Sequence, residues 1–220
     1  MWASLEAPWQ ACLEEAWASY CAGSVPIGAA VADAGGRIVA RGRNRIFESE
    51  ANGRTLHGHS LSHAEMNALI VLDHAAVDPR TCVLYASTEP CPLCTGAVRM
   101  YRLGEVRYLA RDPAAGSIAL LDASPFMRLG EVRVVHPARR DVEAVVAALH
   151  VEWSLRTGRA TRIVAGWEEL LPEAVVIGRS ALASGELASL AASAQPAALV
   201  IDRLAASLST ATGLVPPTGL

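Results

Sequence analysis

SHAEMNALIVLDHAAVDPRTCVLYASTEPCPLCTGAVRMYRLGEVRYLAR, Ser62 to Arg111, is the stretch that decides the architecture. Met66, Leu69, Ile70 and Leu72 recur at helical spacing, which predicts a helix from His63 to about Ala76 with Ser62 as its N-cap. Thr81 to Ser87 is a short apolar run that reads as a strand. A second helix is predicted from Pro92 to Leu103, stopped by Gly104. A second strand, Glu105 to Arg111, closes at Asp112-Pro113. Helices alternating with strands in this way imply a sheet with parallel neighbours and helical cover.

Upstream, Trp9, Cys12, Leu13, Ala16, Trp17 and Tyr20 fall on one face of a helix that Gly23 ends; this tryptophan stripe reads as core. Two strands follow, Val25 to Asp33 and Arg37 to Arg45, joined through Gly35-Gly36 as a hairpin. Residues 46–61 form a long polar loop, a length often given to function. Downstream, a less regular piece leads to a strand at Glu131 to His136. A helix follows from Asp141 to about Arg156, carrying Val142, Val145, Val146, Leu149 and Trp153. The resulting order, α-β-β-α-β-α-β-(α)-β-α, predicts a mixed five-stranded sheet with helices on both faces. Beyond Gly158 the chain turns rich in Ala, Leu and Ser and has no strand pair. The expected division is therefore a domain at 1–157 and a helical extension at 158–220, with a frayed tail containing Val215-Pro216-Pro217.

The chain has 220 residues, 52% of them hydrophobic and 19% charged, with a net charge of −3. That balance suits a packed core and excludes disorder. No apolar run reaches the roughly 20 residues of a membrane span. All basic side chains are arginine, and mild acidity counts against a sequence-independent nucleic-acid binder. Five cysteines, an odd number, and an N-terminus (Met1-Trp2-Ala3-Ser4-Leu5-Glu6) without signal-peptide character lead to the expectation of a reducing, cytoplasmic setting. Cys12 and Cys82 read as buried free thiols.

Three metal-binding side chains stand at two predicted helix starts: His63 at one, Cys91 and Cys94 at the other. In such a core the N-terminal ends of neighbouring helices share one edge of the sheet, so the three can converge. One imidazole and two thiolates make a three-ligand zinc site, which leaves a fourth position for water, whereas a structural site closes with a fourth protein ligand. Helix N-termini also favour the thiolate forms. Glu65, two residues after His63, can point at that water. Zinc lowers the pKa of water toward about 7, and a carboxylate beside it can move its proton to a leaving amine. Each piece has a plainer reading: Ser62-His63-Ala64-Glu65 fits a capping box, Cys91-Pro92-Leu93-Cys94 a redox pair, and His63 a polar surface residue. Together they favour a catalytic zinc centre.

His63-Ala64-Glu65 with Pro90-Cys91-Pro92-Leu93-Cys94 resembles the zinc-dependent nucleoside and nucleobase deaminase superfamily, over roughly residues 5–157. Val25-Pro26-Ile27-Gly28-Ala29 and Gly42-Arg43-Asn44-Arg45 are most similar to its branch of tRNA adenosine, guanine and cytosine deaminases. The resemblance implies a three-layer α/β/α cytidine-deaminase-like fold, zinc on His63, Cys91 and Cys94, Glu65 as proton shuttle, and substrate contacts from Asn44 and the backbone at Ala64. It also implies a homodimer. Asn44 has a plainer role as a strand-end turn residue. His57 and His59, in a loop longer than the tRNA enzymes carry, read as solvated, and Asp112 as a turn residue. Trp153, Trp167 or later residues are candidates for completing the pocket. The expected activity is hydrolytic deamination of a small base or nucleoside; the alternatives are adenosine in tRNA, with Arg41, Arg43, Arg45 and Arg54 opening a basic face, and a non-catalytic zinc-stabilised scaffold.

Overall fold

The computed structural model describes residues 1–49, 53–136 and 139–212. After a 3-10 turn at Trp2–Ser4, helix α1 runs Ala7–Cys21, with Pro8 in its first turn and Gly23 in the left-handed region after its end. The hairpin β1 (Gly28–Ala32) and β2 (Ile38–Arg43) follows. Its turn is built by Asp33, whose carboxylate accepts from the backbone N–H groups of Gly35 and Arg37. Then come α2 (Ala64–Val71), β3 (Val83–Thr88), α3 (Pro92–Tyr101) and β4 (Glu105–Ala110). A 3-10 turn and the short helix α4 (Pro125–Arg128) lead to β5 (Arg133–Val135) and the long helix α5 (Arg140–Thr157). Helices α6 (Arg162–Leu170), α7 (Pro172–Ser184), α8 (Glu186–Ala192) and α9 (Ala197–Thr212) complete the described chain.

The sheet order is β2-β1-β3-β4-β5. β1 is antiparallel to both neighbours, while β3, β4 and β5 are parallel. This is the mixed five-stranded sheet expected. Strand periodicity divides its faces. Ala29, Val31, Leu84 and Val106 pack with Ala64, Ala68 and Leu69 of α2 and Val98 of α3. Ala30, Ala32 and Tyr85 face the other way, toward α1 and α5. That second cluster continues through Trp153 into Ile163, Trp167, Leu171, Ile177, Leu187 and Val200 of α6 to α9. Among the described residues no single helix is long and apolar enough to cross a membrane; the bent pair α7–α8 passes by length and composition only.

Several boundaries differ from expectation. His63, not Ser62, occupies the N-cap of α2, and the Ser62 hydroxyl is buried with no hydrogen-bond partner among the described residues, so the capping box does not form. α2 ends at Val71 rather than near Ala76, because Asp73 turns the chain by accepting from the Ala75 N–H. α3 stops earlier than Leu103: Arg102 takes the left-handed position (φ 58°) expected of a terminating glycine. Gly104 serves a different need, since a Cβ there would lie 2.1 Å from the carbonyl oxygen of Arg80. The strands are also shorter than the sequence pattern, most clearly at residues 25–27, which stay outside the sheet. Residues 50–52 of the predicted loop, and the tail with Val215-Pro216-Pro217, lie outside the described residues.

Candidate active site

α2 and α3 both begin where the chain leaves the same edge of the sheet, α3 directly after β3. Their N-caps are His63 and Cys91, both with extended backbone. Pro92 at the first position of α3 sets its start, and Cys94 sits one position beyond Leu93 in the same first turn. The three side chains meet. His63 Nδ1 lies 3.4 Å from Cys91 Sγ and 3.5 Å from Cys94 Sγ, and the two sulfurs are 3.6 Å apart. A tetrahedral ion with Zn–S near 2.3 Å and Zn–N near 2.0 Å needs ligand atoms about 3.5–3.8 Å from each other. The triangle therefore fits one face of a zinc coordination sphere, and no other cluster of three metal-binding groups occurs among the described residues.

Electrostatics at this edge are strongly coupled. Hydrogen bonding from Cys94, and then from His63, brings the Cys91 thiol down to about 4 against the cost of its burial. The Cys94 thiol is pushed up, first by its bond to Cys91 and then by burial. His63 is raised, chiefly by Cys91. Glu65, only 3% exposed, has its carboxyl pushed up by burial, opposed by the charge of His63. A buried carboxyl raised in this way, beside three metal-binding groups, is a candidate proton carrier.

The surrounding backbone is braced. Asn44 is buried at the end of β2, where its Oδ1 accepts from Ser24 Oγ at 2.8 Å and from the Ile46 N–H at 3.1 Å. This is the turn role, and it leaves the side-chain NH2 as a donor. Ala64 is fully buried, and its N–H belongs to the first helical turn, where no intrahelical acceptor exists. The loop after β2 is tied down at its base by the Arg45 N–H to Ser62 O bond and by Asn67, which bonds Arg43 O, Leu56 O and the Leu56 N–H. Phe47 stacks on Trp153 of α5 at 6.0 Å, and Arg159 covers Phe47. Glu89 accepts from the backbone N–H groups of Asp112 and Ile118, tethering the segment after β4 to the Pro90-Cys91 turn.

Asn67 is not singled out by the sequence, and Glu89 enters there only through the resemblance of Glu89-Pro90-Cys91 to the tRNA adenosine, guanine and cytosine deaminase branch, with no role of its own. The available signal was an amide inside an otherwise apolar helix face, and a carboxylate fixed between a strand and a proline. His59 is exposed and its Nδ1 accepts from the Leu61 N–H, a loop role; His57 Nδ1 is buried without a partner among the described residues. Trp153 and Trp167 are both fully buried. Asp112 Oδ1 accepts from the N–H groups of Ala114 and Ala115, so it builds the turn.

Residues 3–110 match the family model described as the cytidine and deoxycytidylate deaminase zinc-binding region. This stretch belongs to that zinc-binding deaminase family. The chain is 38% identical over 96 residues to a tRNA(Ile)-lysidine synthase of Deinococcus radiodurans, covering 43% of this chain and 15% of that protein. It is 38% identical over 99 residues to a tRNA-specific adenosine deaminase of Bacillus subtilis, covering 43% and 54% respectively. With a cytosine deaminase of Candida albicans it shares 28% over 96 residues, covering 42% and 57%. The chain thus spans about half the length of the two deaminases, and far less of the synthase. A solved structure from a study of tRNA:A34 deaminases superposes with a TM-score of 0.53 at 24% identity, covering 63% of this chain and 97% of that one, which establishes the shared fold. Within the matched stretch, the two sulfurs and the imidazole lie together on the sheet edge where α2 and α3 begin.

Proposed function

We propose that the chain catalyses hydrolytic deamination of a free amino-substituted nitrogen heterocycle, a purine or pyrimidine base or its nucleoside. The observation that carries this reading is the His63, Cys91, Cys94 triangle with the buried carboxyl of Glu65 beside it. His63, Cys91 and Cys94 would hold Zn²⁺, which when bound supplies a nucleophile by making water acidic near neutral pH. Glu65 takes a proton from the attacking water and passes it to a ring nitrogen as the new C–O bond forms at the amino-bearing carbon. It then carries the second proton to the amino group, so that the C–N bond breaks with release of NH3 and the carbonyl product remains. Asn44 donates its NH2 to the ring, and the Ala64 N–H offers a second fixed donor. The test is ammonia release from a panel of guanine, cytosine, adenine, their nucleosides and related azines. Turnover of none of them by zinc-replete protein would sink the reading.

Adenosine in tRNA is the second reading, supported by the Bacillus subtilis relative. The arginines expected to open a basic face argue for the small substrate instead. Arg41 is paired with Glu14, and Arg43 and Arg45 share Glu48, so two carboxylates offset most of the charge of the three. Arg54 is exposed. Tight, steeply salt-dependent tRNA binding with adenosine deamination would reverse the preference. A zinc-stabilised scaffold is disfavoured by Glu65, a buried carboxyl that a structural site does not need; unfolding on chelation with no turnover would favour it. We also propose a homodimer, supported by the resemblance alone, and a cytoplasmic setting, supported by the cysteine usage; sedimentation velocity tests the first.

A further inference from the structure

The far end of α3, away from Cys91 and Cys94, lines a half-open cavity of about 310 Å³. Its wall carries three guanidinium groups, from Arg80, Arg99 and Arg102, together with Gly104 and Glu131. Arg99 is only 8% exposed. Its Nε donates to the Phe126 carbonyl oxygen at 2.9 Å, and its guanidinium lies 5.1 Å from the centroid of the Phe126 ring. Neither contact neutralises it. Among the described residues no carboxylate forms an ion pair with Arg99 or Arg102, whereas Arg80 is held by Asp78 at 3.1 Å. Glu131, the one carboxylate on the lining, pairs with none of the three.

A guanidinium this buried is costly unless something in the cavity answers it. With Asp78 set against Arg80, the wall keeps an excess of positive charge even after Glu131 is counted. Each arginine offers a planar fork of N–H donors. Three forks on one wall exceed what the two oxygens of a carboxylate can accept, and suit the several charged oxygens of a phosphate. The volume lies at the lower end of the range for small-ligand sites. We propose that this cavity binds the phosphate group of a small ligand, as inorganic phosphate or as a phosphate ester. The site is distinct from the zinc-binding end of α3 and does not depend on the reading proposed for that end.

Calorimetric titration of the zinc-loaded protein with sodium phosphate, and separately with adenosine 5′-monophosphate, at fixed ionic strength tests it. Arg102→Gly removes one fork while keeping the left-handed turn, which glycine adopts without strain; Arg80→Ala removes another exposed one, and Arg99→Gln the buried one. Saturable binding that weakens about tenfold or more in Arg102→Gly is expected, the effect of losing a charged hydrogen bond. Binding of both titrants assigns the site to phosphate itself, and binding of the monophosphate alone to an ester; either supports the proposal. If Arg99→Gln fails to fold, the two exposed variants still decide. No saturable binding of either titrant, or affinities unchanged in both exposed variants, overturns it. So does a dimer that Arg102→Gly dissociates without any phosphate binding, because a carboxylate of a second copy would then be the occupant.

Discussion

Glu65 sits at the second position of α2, buried, with its carboxyl raised by burial against the pull of His63. Replacing it with glutamine keeps size and hydrogen bonding but removes the proton carrier. Glu65→Gln should retain zinc by mass spectrometry and lose roughly 10²–10⁴-fold in kcat; full activity with metal bound would remove the proton-shuttle role. Cys94→Ser should instead lose the metal itself, because the ligand triangle loses a corner. His150 poses a separate residue-scale question. It is 4% exposed, and both ring nitrogens lack a partner among the described residues. Trp153 and Trp167 pack edge-on against it, and their indole N–H groups are likewise unpartnered. Burial holds His150 down to about 4 from the usual 6.5. The folded form therefore keeps it neutral, while the unfolded chain takes up a proton as pH falls below about 6.5. This contribution to stability is intact above that pH and is lost progressively down to about 4. His150→Phe should remove a penalty of about 2 kcal/mol at pH 4.5 and leave pH 7 stability equal or higher, read from urea midpoints at the two pH values. Parallel losses in both proteins would refute it.

At the scale of elements, two glycines let helices lie directly on strands. A Cβ on Gly28 of β1 would sit 2.0 Å from the Cys12 carbonyl oxygen of α1, and one on Gly42 of β2 would sit 2.2 Å from the Ala68 nitrogen of α2. Backbone atoms cannot yield as a flexible side chain can. Gly42→Ala should cost about 3 kcal/mol or more in chemical unfolding and displace the N-terminus of α2, which carries His63 and Glu65. Zinc content should fall with it. An unperturbed midpoint would show that α2 is free to shift. In the sequence Gly42 reads as a residue of the strand Arg37 to Arg45 and of the Gly42-Arg43-Asn44-Arg45 stretch, with no packing role, because close backbone approach leaves no mark on periodicity. Helix α3, in contrast, was legible at its start and less so at its end. Pro92 marks the start by its own geometry, whereas Arg102 adopts at the end a conformation that its residue type does not announce.

At the scale of the whole molecule, one buried cluster joins the first and last helices of the described residues. Trp167 and Trp153 are fully enclosed, and the cluster passes from α1 and α5 into α6 to α9. Arg111, just after β4, clasps the buried Glu143 of α5 through its guanidinium at 2.7 Å and 3.0 Å and through its backbone N–H at 3.1 Å. Phe47, three residues after Asn44, rests on the other end of that helix. Trp167→Ala, far along the chain from the zinc ligands, should therefore cost about 3–5 kcal/mol and lower activity in step with the folded fraction. A variant that unfolds in a separate, earlier transition while residues 1–157 keep their zinc and turnover would mark residues 158–220 as an independent unit.

The order of elements, the hairpin turn at Gly35-Gly36, the helix starts at the ligand motifs and the donor set itself were determined by local chemistry: periodicity, glycine and proline geometry, and the few residue types that bind zinc. Only the tertiary structure decided that the three ligand atoms lie 3.4–3.6 Å apart, that Ser62 leaves its hydroxyl unused, that Arg41, Arg43 and Arg45 are already paired, and that α5 is packed by the helices after it. The division has one physical cause. Local preferences are written residue by residue, but burial and charge pairing depend on which distant segments arrive at the same place, and a single sequence does not state those meetings.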